Sequence, residues 1–86
     1  MYVRIPTPLR SYTNGESRVL ARGATVDDIL MDLDAQFAGF RFRMVDEQNR
    51  LRQHIRVFIN DDMITNLTDA VGATDEITIL QALSGG

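Results

Sequence analysis

With 86 residues, of which 44% are hydrophobic and 24% charged, the chain has the composition of one folded domain with a modest core, not that of a disordered segment. The formal net charge of −3, with all nine positive charges on arginine, argues against nucleic acid as a partner, and the absence of cysteine excludes disulfides, thiolate metal sites and a cysteine nucleophile. No apolar run approaches the roughly 20 residues of a membrane helix and the first residues do not resemble a secretory signal, so we expect a cytoplasmic protein without a membrane partner.

The first part of the chain predicts a loose hairpin. Residues 2–5 alternate as a strand does, and the strand is expected to end where Pro6 and Pro8 remove backbone donors. Asn14-Gly15 is a turn signal, and residues 18–21 resume the extended pattern.

One amphipathic helix is predicted after this hairpin. Thr25 is a suitable N-cap, and Asp27 and Asp28 lie in the first turn, where the helix dipole favours negative charge. Apolar residues at helical spacing form one stripe: Val26, Ile29, Leu30, Leu33 and Phe37. Gly39 is predicted to end the helix. Since a helix of about thirteen residues is not stable alone, we expect it to pack across a sheet.

The remaining segments predict three further strands. Residues 40–53 are interpreted as an extended connection with a turn at residues 46–49. Residues 54–59 have the pattern of a strand with Ile55, Val57 and Ile59 facing inward, followed by a turn and a short strand around Met63 and Ile64. Residues 67–71 are interpreted as a single helical turn, and residues 77–80 as the last strand.

The order β-β-α-β-β-β predicts an α+β fold in which one main helix covers one face of a mixed four- to five-stranded sheet. We expect one domain over residues 1–80 and a flexible tail over residues 81–86. The tail ends in Gly85-Gly86, a pair for which no helix or strand has a structural use. Such a pair also occurs by chance at disordered termini. Behind a closing strand, it offers a backbone carboxylate that can enter a narrow active site.

Four segments carry a resemblance to a known family, and two of them are the most specific. IRVFINDD, residues 55–62, resembles the hydrophobic strand and turn of the MoaD/ThiS sulfur carriers, and DEITILQALSGG, residues 75–86, resembles their closing strand and tail. The segments RIPTPLRSYT and DLDAQFAGFRFRMVDEQNRLR are similar to the branch of these carriers that serves cysteine synthesis. The resemblance covers essentially the whole chain and implies the ubiquitin-like β-grasp fold. Many of these carriers have proline soon after the last strand, where this chain has Gln81.

The resemblance implies a chemical role for the tail. An E1-like enzyme would use ATP to adenylate the Gly86 carboxylate, and a sulfur donor would convert it to a thiocarboxylate. Gly85, Ser84, Leu83 and Ala82 would thread into the active sites of partners. The implied partners are the adenylating enzyme, a sulfur-accepting synthase such as a pyridoxal-phosphate-dependent cysteine synthase, and a metalloprotease that releases the product. Molybdopterin or another sulfur metabolite is the next destination after cysteine.

Strand alternation predicts where partners dock. If the alternating isoleucine and valine residues of the two strands face the helix, Phe58 and Leu80 face outward and form a small apolar patch with Arg56 at its edge. The inward residues are Ile55, Val57, Ile59, Ile77 and Ile79. Exposed apolar patches mark partner surfaces, although single exposed apolar residues are ordinary.

Other residues favour structural interpretations. The sequence offers no metal site and no catalytic group of its own, since His54 has no second histidine or cysteine beside it. The arginines of the middle segment form a solvated face, steer an acidic partner or contact phosphates: Arg41, Arg43, Arg50, Arg52 and Arg56.

Two alternative functions remain open at this point. The chain could be a ubiquitin-like modifier that is joined through Gly86 to lysines of other proteins. It could also be a β-grasp interaction subunit whose tail takes part in no chemistry.

Overall fold

Five strands form a single mixed sheet in the computed structural model, which describes residues 1–82. The strands are β1 (Tyr2–Arg4), β2 (Arg18–Leu20), β3 (Ile55–Ile59), β4 (Asp62–Met63) and β5 (Ile77–Gln81), and the helices are α1 (Val26–Gln36) and α2 (Phe40–Met44), with a 3-10 turn at Thr7–Leu9. The strand order is β2-β1-β5-β3-β4. β1 runs parallel to β5 with Val3 opposite Ile77, and the other neighbouring pairs are antiparallel. The last strand along the chain therefore occupies the centre of the sheet.

The core lies between the sheet and α1. Val26, Ile29, Leu30 and Leu33 of α1 are completely buried, as their helical spacing predicts. They face inward-pointing strand residues that are also buried: Val3, Val19, Ile55, Val57, Ile77 and Ile79. The predicted inward face of β3 is confirmed, although Ile59 is only partly buried.

The start of α1 is held by contacts within the helix and from a distant segment. The Thr25 hydroxyl accepts a hydrogen bond from the Asp28 backbone N–H at 3.2 Å, which confirms the predicted N-cap. The backbone N–H groups of Val26 and Asp27 donate to the carbonyls of Asp69 and Leu67 at 3.1 and 2.9 Å. Helix N–H groups without partners inside the helix are thereby satisfied by residues about forty positions further along the chain.

The prediction of a helical turn at residues 67–71 is wrong. Asp69 N–H closes a turn by donating to the Asn66 carbonyl, and the Asp69 carboxylate accepts from the backbone of Thr65 at 2.8 Å. Ala70 forms a bridge with Thr25. The carbonyls of Leu67 and Asp69 accept hydrogen bonds from the first N–H groups of α1 and not from residues of their own segment, so this segment does not form a helical turn.

The prediction of an extended connection over residues 40–53 is also wrong in its first part. Phe40 and Met44 are four residues apart and completely buried, whereas Phe42 between them is exposed, so Phe40–Met44 forms the short helix α2. Gly39 precedes it with φ of 90°. Arg41 joins α2 to α1 through an ion pair with Asp27 at 2.7 Å. Neither helix within residues 1–82 is long and apolar enough to cross a membrane.

The predicted turn at residues 46–49 is confirmed. Asn49 N–H donates to the Asp46 carbonyl at 3.1 Å, and Val45 and Leu51 form a bridge on either side. After this turn the chain returns to the sheet, where β3 begins at Ile55.

Candidate docking face and tail root

The sheet face opposite α1 is open to solvent. The register places the following outward residues on it: Arg18 and Leu20 of β2, Tyr2 and Arg4 of β1, Thr78 and Leu80 of β5, Arg56 and Phe58 of β3, and Met63 of β4. We call these residues the open face. Its apolar members Tyr2, Leu20, Met63 and Leu80 are 46%, 58%, 56% and 48% exposed. Together they form a surface that no element within residues 1–82 covers.

The three residues predicted as a docking patch lie on adjacent strands of this face. Arg56 is directly opposite Leu80, and Phe58 is directly opposite Thr78, so Phe58 and Leu80 are diagonal neighbours. Phe58 is half-buried, and Arg56 donates through Nη1 to the carbonyls of Gln53 and Ile55. Leu80 therefore provides the most exposed apolar surface of the three.

Sequence reasoning missed the apolar residues of the other strands. Tyr2, Leu20 and Met63 extend the face across the full width of the sheet. The guanidinium of Arg18 lies 4.0 Å from the centre of the Tyr2 ring, and Arg4 pairs with Glu76 at 2.7 Å. The alternation in residues 2–5 and 18–21 already places Tyr2 and Leu20 on the outward face of their strands. Only the order of the strands in the sheet shows that they share this face with Leu80.

The tail begins at one end of this face. Gln81 pairs with Ile55 at the end of β5, one position beyond the predicted Leu80, and Ala82 N–H donates to the His54 carbonyl at 2.8 Å. Glutamine can take this place in the ladder because its backbone is free of the restrictions of proline. The ladder thus fixes where the chain leaves the sheet. Leu83, Ser84, Gly85 and Gly86, predicted to thread into partners, lie outside the described residues.

A cleft lies beside this exit point. It has a volume of about 490 Å³ and lies between the loop after β1, helix α2 and the start of β3. Its lining is formed by Pro8, Leu9, Ser11, Tyr12, Phe42, Arg43, Arg52, His54, Ile55 and Gln81. We call it the tail cleft. His54, which the sequence left without a role, is exposed at this cleft, and its carbonyl holds Ala82.

The opposite end of the β3–β5 pair is fixed by Asn60. Its backbone adopts φ of 55°, its side-chain oxygen accepts from Glu76 N–H at 3.0 Å, and its own N–H donates to the Glu76 carbonyl at 2.7 Å. The pKa of Asp75 is lowered because its carboxylate accepts hydrogen bonds from Gly72 N–H and from the Asn60 amide. This end of the pair is therefore tied by side chains as well as by the ladder.

Among residues 1–82, no group of three or more histidine, aspartate or glutamate side chains could hold a metal ion. The geometry offers a broad apolar face and a fixed start of the tail instead. We call Gln81 and Ala82, which the β5–β3 ladder and the His54 carbonyl hold in place, the tail root.

The profile of the ThiS family matches residues 3–86. The chain belongs to the ThiS family. The sulfur carrier protein CysO of Mycobacterium tuberculosis is 34% identical over 89 residues, which cover 98% of this chain and 96% of that protein.

Solved structures confirm the ubiquitin-like β-grasp fold of this ThiS-family chain. A chain of the Amycolatopsis orientalis BexX/CysO complex is 41% identical with a TM-score of 0.91, and 99% of this chain and 98% of that chain are covered. The small archaeal modifier protein 1 of Methanosarcina acetivorans is 26% identical with a TM-score of 0.80, and 99% and 94% of the two chains are covered.

Proposed function

We propose that the protein is a sulfur carrier for biosynthesis, with cysteine as the first destination and molybdopterin or another sulfur metabolite as the next. The observation that carries this proposal is the similarity to the sulfur carrier CysO over nearly the full length of both chains. The geometry supports it, because β5 ends with Gln81 at one end of the sheet, and the sequence after it finishes in Gly-Gly.

The chemistry takes place at the Gly86 carboxylate. Attack of this carboxylate on the α-phosphorus of ATP gives an acyl adenylate and releases pyrophosphate. A hydrosulfide-equivalent donor then attacks the acyl carbon and displaces AMP, which leaves a thiocarboxylate. A free carboxylate is a poor electrophile until its leaving group is improved. Since the chain offers no phosphate-binding glycine-rich motif, an E1-like enzyme supplies ATP and activation.

The open face provides the second contact that such a transfer needs. Ordering the backbone of each tail residue in a channel costs about 1–2 kcal/mol, so residues 82–86 alone make a weak anchor. Leu80 and Phe58, with Arg56 beside them, lie next to the tail root and are placed to bind the body of the enzyme. Apolar contact there offsets the cost of ordering the tail.

The thiocarboxylate passes to an acceptor enzyme in the next step. For cysteine, its sulfur attacks the β-carbon of an amino-acid substrate held by a pyridoxal-phosphate-dependent synthase; a C–S bond forms, the leaving group on that carbon departs, and the product is a thioester. An acyl shift to the amino group then leaves cysteine joined to Gly86 by a peptide bond. A metalloprotease hydrolyses this bond and regenerates the carboxylate. In this cycle the protein is a co-substrate and not a catalyst.

Intact-mass analysis tests the proposal directly. The protein is incubated with ATP, a sulfide source and the E1-like enzyme encoded in the same genome, and the expected product differs from the starting chain by one oxygen exchanged for sulfur. A variant that lacks Gly85 and Gly86 is the control and should keep its mass. An unchanged mass of the full chain under these conditions would contradict the proposal.

The similarity to small archaeal modifier protein 1 supports a second candidate function, that of a protein modifier. A modifier would be joined through Gly86 to lysines of other proteins. Activation is common to both functions, so the distinguishing measurement is the appearance of covalent adducts of higher mass in lysates. Adducts that disappear when Gly86 is deleted would favour the modifier. We favour the carrier because its relatives are more similar in both sequence and structure.

A further inference from the structure

Two arginines in the tail cleft are held by contacts that leave their terminal nitrogens available. Nε of Arg43 donates to the Tyr12 hydroxyl, and the guanidinium carbon lies 5.5 Å from the centre of the Tyr12 ring. Nε of Arg52 donates to the Phe42 carbonyl at 2.7 Å, and its guanidinium carbon lies 4.6 Å from the centre of the Phe42 ring. Both guanidinium groups are therefore oriented before any partner arrives.

Neither of these two guanidinium groups forms an ion pair within residues 1–82, although the Asp46 carboxylate lies near enough to Arg52 to interact with it electrostatically. The ion pairs within residues 1–82 involve Arg4 and Arg41, and the lining of the tail cleft contains no acidic residue. A guanidinium group that uses only Nε keeps four N–H donors on its two Nη atoms, arranged to bind a carboxylate. The cleft is thus a cationic recess with unused donors in a protein whose net charge is −3.

Negative charge is concentrated at the other end of the same strands. Asp61 lies in the turn after β3, Asp62 begins β4, and Asp75 and Glu76 lie before β5; of these four, Glu76 pairs with Arg4. The strand pair therefore has carboxylates at one end and the cationic tail cleft at the other. Such an arrangement orients the molecule with its tail towards a negatively charged surface.

The tail itself determines what must lie over the cleft. Four residues, 83–86, follow Ala82, and four fully extended residues span at most about 14 Å. An enzyme that reacts with Gly86 must bring the entrance of its channel within this distance of Ala82. Because Gln81 lines the tail cleft and the His54 carbonyl binds Ala82, the rim of such an entrance would lie over the cleft.

We propose that the tail cleft binds an acidic side chain on the channel rim of the E1-like adenylating enzyme, with the carboxylate held between Arg43 and Arg52. This inference rests on the proposed function and adds a second, charged contact to the apolar contact of the open face. Its role is to capture and orient the carrier before the tail enters the channel, so it affects association more than the chemical step.

The test is steady-state kinetics of ATP–pyrophosphate exchange by the E1-like enzyme, with the carrier as the varied substrate. The double variant Arg43→Gln and Arg52→Gln is expected to raise KM about 5- to 20-fold with kcat unchanged, and to flatten the dependence of kcat/KM on salt. Replacing both residues with lysine keeps the charge but loses the planar fork, so the increase in KM should be smaller.

The matched control is the double variant Arg22→Gln and Arg50→Gln. This control also removes two positive charges, but at exposed positions outside the tail cleft, and it should leave KM within about twofold of the wild-type value. Equal KM values for the two double variants would overturn the inference, as would a fall in kcat at saturating carrier. Thermal unfolding of each variant shows whether the fold is retained. If wild-type protein supports no exchange at all, the proposed function itself fails, which is a different result.

Discussion

The side-chain amide of Asn60 donates to the carboxylate of Asp75 at 3.0 Å and joins the turn after β3 to the turn before β5. Asn60 also exchanges hydrogen bonds with the backbone of Glu76. The contact between Asn60 and Asp75 involves an ionised carboxylate, so the stability of this end of the strand pair is sensitive to acid.

Replacing Asp75 with asparagine should flatten the dependence of the free energy of unfolding on pH. The pKa of Asp75 is lowered in the folded chain, so its contribution is fully present above the unfolded value of about 3.9 and is lost as the pH falls through the lower folded value. Urea unfolding between pH 7 and pH 3 measures this. Asp75→Asn should be less stable than wild type at pH 7, and the difference should shrink below pH 4.

Asp61→Asn is the matched control, because Asp61 is exposed and its side chain makes no hydrogen bond within residues 1–82. Its stability curve should follow that of the wild type. Asp46 and Asp69 also have lowered pKa values, caused first by the backbone N–H groups of Arg50 and Thr65, so some acid sensitivity remains in Asp75→Asn. Identical curves for wild type and Asp75→Asn would contradict the assignment.

Gly23 is expected to tolerate no side chain. A Cβ there would lie 2.5 Å from Cβ of Asp28 and 2.8 Å from the backbone nitrogen of Ile29, in the first turn of α1. Gly23→Ala must shift the helix and should lower the free energy of unfolding by about 1–3 kcal/mol. At Gly72 the nearest contact is an ordinary 3.4 Å to the Asp75 carboxylate, so Gly72→Ala should change stability by less than about 0.5 kcal/mol. Equal denaturation midpoints for the two variants would be inconsistent with this packing.

Phe40 and Phe42 should respond very differently to truncation. Phe40, the first residue of α2, is completely buried and meets Tyr12 edge to face with ring centres 6.5 Å apart, whereas Phe42 is 58% exposed. Phe40→Ala should cost about 3–5 kcal/mol, and Phe42→Ala about 1 kcal/mol or less. Denaturant unfolding measured by circular dichroism compares them. A similar cost at both positions would mean that residues 40–44 do not pack as a helix.

Leu80 is expected to matter for charging of the tail and not for folding. Leu80→Gln keeps a similar size at a position that is 48% exposed, and should lower kcat/KM for adenylation about 5- to 30-fold by removing apolar contact with the enzyme. Met31→Gln is the control, because Met31 is 57% exposed on α1, away from the open face. If both variants are charged as efficiently as wild type, the open face is not the docking surface.

Much of the fold could be predicted from local patterns. The Thr25 cap and the apolar spacing of Val26, Ile29 and Leu33 predict α1, and the alternation in β3 and β5 predicts both strands, because these signals depend on near neighbours. The segment around Phe40 and Met44 was misread because alternate apolar residues fit a period of two as well as a single helical turn.

The candidate site depended on contacts that no local pattern contains. Leu80 and Tyr2 belong to one face only because β1 pairs with β5, and their positions are 78 residues apart in the chain. The tail cleft unites the loop after β1, α2 and the start of β3, so the pairing of Arg43 with Tyr12 and of Arg52 with Phe42 was not visible in the spacing. For that reason, the sequence alone could not separate a solvated face from a surface that steers an acidic partner or contacts phosphates.

The central position of β5 has a consequence for synthesis of the protein on the ribosome. β1 and β3 are made first but are held together by a strand that emerges last, and α1 is capped by carbonyls of residues 67 and 69. A nascent or prematurely terminated chain therefore has no completed sheet. If the proposed function holds, the same strand both completes the sheet and precedes the Gly86 carboxylate, so only a fully translated molecule would be a substrate of the E1-like enzyme.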